Sequence, residues 1–212
     1  DGTTLNVDLS TGSFTTSDII LYDAGETPTV TITHDAMTGV SSAITVLPAV
    51  IDHFTVTGMD DPIVAGTLDS ITVTAFDEYD NVKTNYTGTV AITSSDAQAD
   101  LPANHAYIAG DLGVHAFDVT LKTTGEQSIT ATGDTKTGSQ TAITVTAAVL
   151  NHFHWAAIGT QTAGTAFTVV ITAHDIYNNV TTRDTDGSSF PNSESVTFSS
   201  TATAAPDTTV PT

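Results

Sequence analysis

An Asp-rich turn occurs twice in this chain, and its recurrence limits the possible folds more than any other feature. Thr74–Thr87 reads TAFDEYDNVKTNYT and Thr172–Thr182 reads TAHDIYNNVTT, sharing the skeleton T-A-x-D-x-Y-x-N-V-x-T. The repetition extends well beyond the turn. VIDHF (50–54) returns as VLNHF (149–153), and TGVSSAITVLPAV (38–50) returns as TGSQTAITVTAAV (137–149), both at an offset of 99 residues. VAGT (64–67) matches TAGT (162–165) at 98, and LYDAG (21–25) matches LKTTG (121–125). A period near one hundred is the size of one β-sandwich domain.

Within the period, apolar residues alternate with polar ones. DSITVTAF (69–76), GTVAITS (88–94), HAFDVTL (115–121), QSITAT (127–132) and TAITVTA (141–147) are half-buried strands by pattern, rich in Thr and Val. Gly, Asp, Asn and Pro punctuate the gaps, and no segment sustains a 3.6-residue period. The chain is therefore expected to be all-β. One complete repeat spans 50–149, with strands A (51–57), B (68–76), C (88–94), D (105–109), E (114–121), F (126–132) and G (139–146). Seven strands with turns about every ten residues suit an immunoglobulin-like antiparallel sandwich.

Residues 1–49 then form the C-terminal half of such a domain, ending in F (TVTITHD) and G (SSAITV). Residues 150–212 form the N-terminal half of another, with A (NHFHWAA), B (AFTVVITAHD) and C (SVTFSS). The short apolar junctions LPAV and TAAV imply a semi-rigid rod. Neither half can bury its apolar face alone. Either adjoining sequence completes each half, or the halves of successive copies complete one another in a head-to-tail polymer.

Charge excludes several functions. The formal net charge is −20, and Lys83, Lys122, Lys136 and Arg183 are the only fixed cations. Such a surface repels phosphate backbones, so nucleic acid and anionic membrane are poor partners, while divalent cations and salt suit it. No apolar run is long enough to span a bilayer, so direct membrane insertion is not expected. A targeting signal is expected to have been removed or to lie outside these residues. The chain has no cysteine, so redox compartment is left undecided.

The segment AGT…ITVTAFDEYDNV…TNYTGTV…SSD, with the flanking half-repeats, resembles the immunoglobulin-like repeats of large bacterial and archaeal cell-surface proteins: S-layer proteins, giant adhesins and extracellular matrix polymers. The resemblance implies an extracellular, cell-surface location and a structural or adhesive role. It does not fix one function. The last repeat departs from the pattern where RDTDGSSFPNSES (183–195) replaces the shorter TNYTG region, and this insertion is the candidate contact loop.

The acidic turns form the candidate site. The turn between B and C (Asp77, Glu78, Asp80, Asn81) should sit at the pole facing the preceding domain, joined there by Asp111 and Asp134. The preceding half-repeat contributes Asp23 and Glu26 from the other side, and Asp175 repeats the position of Asp77. Carboxylates and amide oxygens converging on a junction are the ligand set Ca²⁺ uses, so calcium stiffening of the rod is one expectation. The other is purely structural: Asp and Asn populate turns because they bond their own backbone. Tyr79 and Tyr177 would then pack at the turn's base, with Asp77 and Asp175 fixing its conformation. His152 and His154 share one strand face opposite Phe153 and Trp155, and a metal there would need a further ligand. Asn85-Tyr-Thr and Asn179-Val-Thr are glycosylation sequons. No Cys nucleophile, G-x-S-x-G, phosphate loop or zinc spacing is present, so catalysis is not expected. An isopeptide crosslink would need a buried strand lysine, which the lysine positions do not offer. The sequence thus reads as a non-catalytic structural segment that associates with copies of itself. The alternative is an adhesin segment binding a glycan or protein, and a spacer within a secreted enzyme is a third class.

Overall fold

The computed structural model describes residues 9–190, 197 and 199. Apart from residues 197 and 199, expected strand C of the last repeat (195–200) lies outside the described residues, as does the end of the 183–195 insertion. The chain forms two compact units, Asp1–Thr146 and Ala147–Thr212. The division falls three residues before the expected boundary at 149/150. Residues before Val50 belong with the middle repeat in the first unit.

The middle repeat is a two-layer β structure. One layer holds β3 (Ile51–Thr57), β5 (Leu68–Asp77) and β8 (Val114–Thr120), in the order β3-β5-β8. The other holds β4 (Ile63–Val64), β6 (Thr89–Ser94), β7 (His105–Ala106), β9 (Gly125–Gly133) and β10 (Lys136–Thr146), in the order β4-β10-β9-β6-β7. Alternation decides which side chains face inward. On β5, Ile71, Val73, Ala75 and Asp77 point into the core, and Phe117 and Val119 of β8 join them. The facing layer supplies Val90, Ile92, Ile129, Ala131, Ile143 and Val145. Tyr107 ties the layers together: its hydroxyl donates to the Val73 carbonyl at 3.1 Å.

Six of the seven expected strands match to within three residues at either end; the fourth shortens to β7 followed by a 3-10 turn, Ala109–Asp111. Two features went unread. The two-residue β4 pairs in parallel with β10, through Val145↔Ile63 and Thr146↔Val64. Two residues are too short to show a period. Strand β10 also carries a bulge between Gln140 and Ile143, with Ala142 at φ 58°. Inward-facing positions are even-numbered before the bulge and odd-numbered after it, which is how the bulge restores the apolar face. At Gly138 a Cβ would run into the Phe54 carbonyl, so the two strands approach there only because no side chain intervenes.

Tyr86 is the weak point of this core. It is buried edge-on against Phe54 and Tyr107. Among the described residues, its hydroxyl is the one buried side-chain polar atom without a hydrogen-bond partner. Burial, and then the Asp134 carboxylate nearby but not in hydrogen-bond geometry, push its pKa to about 12. A hydroxyl buried without a partner forfeits its bonds to water. Tyr86→Phe is therefore expected to leave stability unchanged or raise it by about 1 kcal/mol in urea denaturation. A loss larger than about 1 kcal/mol would show that the hydroxyl is satisfied after all.

Ahead of the middle repeat, β1 (Thr31–His34) and β2 (Met37–Val40) form a hairpin, extended by Ile44 N–H to Pro28 O and Gly25 N–H to Val46 O. Ile32 and Met37 share one of its faces, and both are exposed. In the second unit, β11 (His152–Trp155) pairs antiparallel with β12 (Ile171–His174). The register places Phe153, Trp155, Ile171 and Ala173 on one face and His152, His154, Thr172 and His174 on the other. The buried residues described in the second unit are Asp175, Asn179 and Thr181, all polar.

Candidate functional site

The repeated turn is built around one buried carboxylate. Asp77 ends β5 on the inward parity and is fully buried. Its Oδ1 accepts the backbone N–H groups of Tyr79 and Asn81, both at 2.9 Å. Its Oδ2 accepts the N–H of Ala49, in the linker, at 2.8 Å. The Asn81 amide donates to both oxygens, at 3.2 and 3.0 Å. Asp80 sits in the left-handed region at φ 62°, which Asp and Asn tolerate.

The second unit repeats this geometry. Asp175 accepts from Tyr177 and Asn179 N–H at 2.9 Å, from the linker N–H of Ala148 at 3.0 Å, and from the Asn179 amide at 2.8 Å. Asn178 takes the left-handed position at φ 67°. The motif therefore has a job for each letter. The Asp folds the turn and grips the linker, the Asn side chain completes the Asp's bonding, and the residue before the Asn bends the chain. Burial pushes both aspartates up, and the hydrogen bonds from Asn81 and Ala49, or from Asn179 and Ala148, outweigh it. Both carboxyls end below the usual carboxylate range.

Around Asp77 the turn meets the segment that precedes the middle repeat, inside the first unit. Asn81 accepts the N–H of Ala24 at 2.8 Å and donates to Tyr22 O at 2.7 Å, so it reaches the turn of the preceding half-repeat. Tyr79 packs edge-on against Tyr22, with ring centres 4.9 Å apart, and Lys83 Nζ donates to Pro48 O. The turn ending in Gly113 also reaches this pole, since Ala75 N–H donates to Gly113 O at 2.9 Å.

The expected calcium ligands fare differently. Asp77 and Asp175 spend their oxygens on N–H donors. Asp80 is exposed, with His53 Nε2 3.8 Å away. Asp134 lies by Tyr86, and Asp23 and Glu26 are exposed on their turn. Among the described residues, the one group of three ligating side chains with atoms within 4.8 Å of each other is His105, Asp111 and His115. Of the acidic residues read from the sequence, only Asp111 belongs to it. Of the two sequons, Asn85 is exposed, whereas Asn179 is 7% exposed with its amide held by Asp175. That placement gives a glycan no attachment in the folded unit. His152 and His154 gain a third ring, His174, with centres 5.6 Å from each. The His174 nitrogens are already engaged by Thr172 Oγ1 and Asn178 O. In the insertion, Arg183 bridges Ser189 around a tight Asp184–Ser188 turn.

A third buried carboxylate lies outside the acidic turns read from the sequence. Asp96, 4% exposed, accepts from Lys122 N–H at 2.6 Å, Thr123 N–H at 2.8 Å, Gln98 N–H at 2.9 Å and Thr123 Oγ1 at 2.6 Å. It pins the loop after β6 to the turn after β8. Its signal was present as the last letter of SSD, in the same β-strand-to-turn position that Asp77 occupies.

No protein-family model and no curated protein sequence matches the chain. Among solved structures it is similar to domains 1–6 of surface layer protein SbsC, at 19% identity and TM-score 0.37, over 68% of this chain and 18% of that one. It is similar to FdeC, an adhesin of Escherichia coli, at 18% identity and TM-score 0.41, over 68% of this chain and 49% of that one. A glycosyl hydrolase family 2 member from Bacteroides cellulosilyticus is similar at 16% identity and TM-score 0.40, over 54% of this chain and 16% of that one. The chain thus spans less than half the length of each of these proteins.

Proposed function

We propose that the chain is a non-catalytic structural segment of an extracellular, cell-surface repeat protein, one that builds a layer, stalk or filament by joining like repeats end to end. The recurrence of the aspartate clamp carries this reading. In both repeats the same buried carboxylate seizes a linker N–H, so the repeated sequence is spent on fixing junctions rather than on lining a cleft. Exposed apolar side chains support it further. Ile32 and Met37 on the hairpin, and Phe153 on β11, are exposed on strand faces, and another repeat of the same type would cover such residues.

Self-association is the test. The 212-residue chain is expected to form concentration-dependent oligomers in sedimentation velocity, and Phe153→Asp with Trp155→Asp to shift it to monomer. A longer chain carrying the next repeat should remain monomeric if adjoining sequence supplies the cover. A wild-type chain that stays monomeric at all concentrations sinks the end-to-end reading. If such a monomer also bound an immobilised glycan or protein through the 183–190 loop, the adhesin alternative would replace it.

A further inference from the structure

We propose that His105, Asp111 and His115 form a site for a divalent transition-metal ion, with Zn²⁺ as the representative, which staples the open edges of the two sheets. The three residues come from elements that end at one place. His105 lies on β7, the edge of the five-stranded sheet, and His115 on β8, the edge of the three-stranded sheet. Asp111 ends the 3-10 turn that carries the chain from one edge to the other.

The ligating atoms of all three lie within 4.8 Å of one another. Asp111 Oδ2 lies 3.0 Å from His105 Nε2, and its Oδ1 lies 3.6 Å from His115 Nδ1. The two imidazoles stack 3.5 Å apart at 9°, so both present a nitrogen to the same carboxylate. The support is rigid. Ile108 N–H donates to Asp111 Oδ2 at 2.8 Å, and the buried rings of Tyr107 and Phe117 stand edge-on against both imidazoles. Side-chain exposures of 28%, 14% and 31% leave the trio reachable from solvent on one side.

Chemistry selects the ion. Two imidazole nitrogens and one carboxylate form a borderline donor set suited to Zn²⁺ and its neighbours, with water filling the remaining position. Ca²⁺ and Mg²⁺ demand shells made almost wholly of oxygen. In the metal-bound form each imidazole offers a lone pair at the nitrogen now facing Asp111 and keeps its proton on the other ring nitrogen. The metal replaces the two His–Asp contacts, and because lone pairs in two nearly parallel ring planes do not meet, binding requires the imidazoles to rotate out of their stack toward a shared ion. The −20 charge raises the local concentration of cations around the site.

The experiment uses the full chain, with Zn²⁺, Ca²⁺ and Co²⁺ as probes. Calorimetry is expected to show saturable one-to-one Zn²⁺ binding without matching Ca²⁺ binding, and melting of the first unit should rise on zinc addition and fall back with chelator. Co²⁺ should give visible bands of a nitrogen- and oxygen-ligated ion. His105→Ala and His115→Ala should each weaken zinc binding by at least about tenfold, the scale on which even supporting residues move metal affinity. His152→Ala with His154→Ala, on the second unit, should leave it unchanged. A chain with no one-to-one zinc binding has a hydrogen-bonded trio that only packs, and the proposal fails. It fails equally if binding survives loss of both His105 and His115 and disappears with His152 and His154.

Discussion

Asp77→Ala is expected to destabilise the first unit by about 4 kcal/mol in urea denaturation, because it strips hydrogen bonds from several buried or half-buried donors at once. A bond to a charged acceptor is worth about 1.5–3 kcal/mol, and a donor left buried without a partner costs a further ~1–3 kcal/mol. The N–H groups of Ala49, Tyr79 and Asn81 all lose their acceptor. Losses within one network are not additive, which keeps the sum below the naive total. Asp77→Asn keeps the volume but turns one acceptor into a donor facing N–H groups, so it should cost about half as much. Asp80→Asn, three residues away and exposed, keeps a residue that tolerates the left-handed region; it is the control and should stay within about 0.5 kcal/mol. Asp77→Ala should also free Ala49, and limited proteolysis should then cut between Leu47 and Ile51 faster than in the native chain. An Asp77→Ala chain within about 1 kcal/mol of native would mean that the turn holds without its carboxylate.

That clamp was half legible in the sequence. The T-A-x-D-x-Y-x-N-V skeleton identified a turn, and the αL tolerance of Asp and Asn explains positions 80 and 178. The skeleton could not show that Asp77 also reaches a linker residue 28 positions earlier, because that contact depends on where β3 leaves the sheet. The same limit explains the calcium expectation. Proximity to a pole in the sequence does not say whether a carboxylate faces outward to an ion or inward to N–H groups. Strands with clean alternation, such as Ile71–Val73–Ala75, could be read directly because parity alone decides their burial. The bulge at Gln140–Ile143 breaks parity, and β4 is shorter than one period, so neither leaves a pattern. His105 and His115 belong to different sheets and match no ligand spacing; only the edge-to-edge crossing brings them together.

Acid should unfold this chain steeply, yet mild acid and salt should first strengthen it, and the two effects separate by pH. Asp77, Asp96 and Asp175 are buried, and in each the burial that raises the pKa is outweighed by hydrogen bonds that lower it. A carboxyl whose folded pKa is depressed contributes stability that is fully present above its unfolded pKa, about 3.9. That contribution is lost as the pH falls through the depressed folded value. Stability should therefore drop sharply below about pH 4. The exposed carboxylates act in the opposite sense. At neutral pH the formal charge of −20 repels itself, and a lower net charge in mild acid relieves that repulsion. Stability should thus peak between about pH 4.5 and 6 and, at pH 7, rise with NaCl as screening grows. Urea midpoints from pH 3 to 8, at low and high NaCl, measure both limbs. The units can be followed separately. Trp155 is the only tryptophan and reports the second unit, whose described buried residues are all polar, while circular dichroism is dominated by the sandwich. The second unit should unfold first, since among its described residues no apolar side chain is buried, whereas many hold the first. A midpoint that does not move between pH 5 and 3 would remove the three carboxylates from the account, and a midpoint indifferent to salt at pH 7 would remove the repulsion.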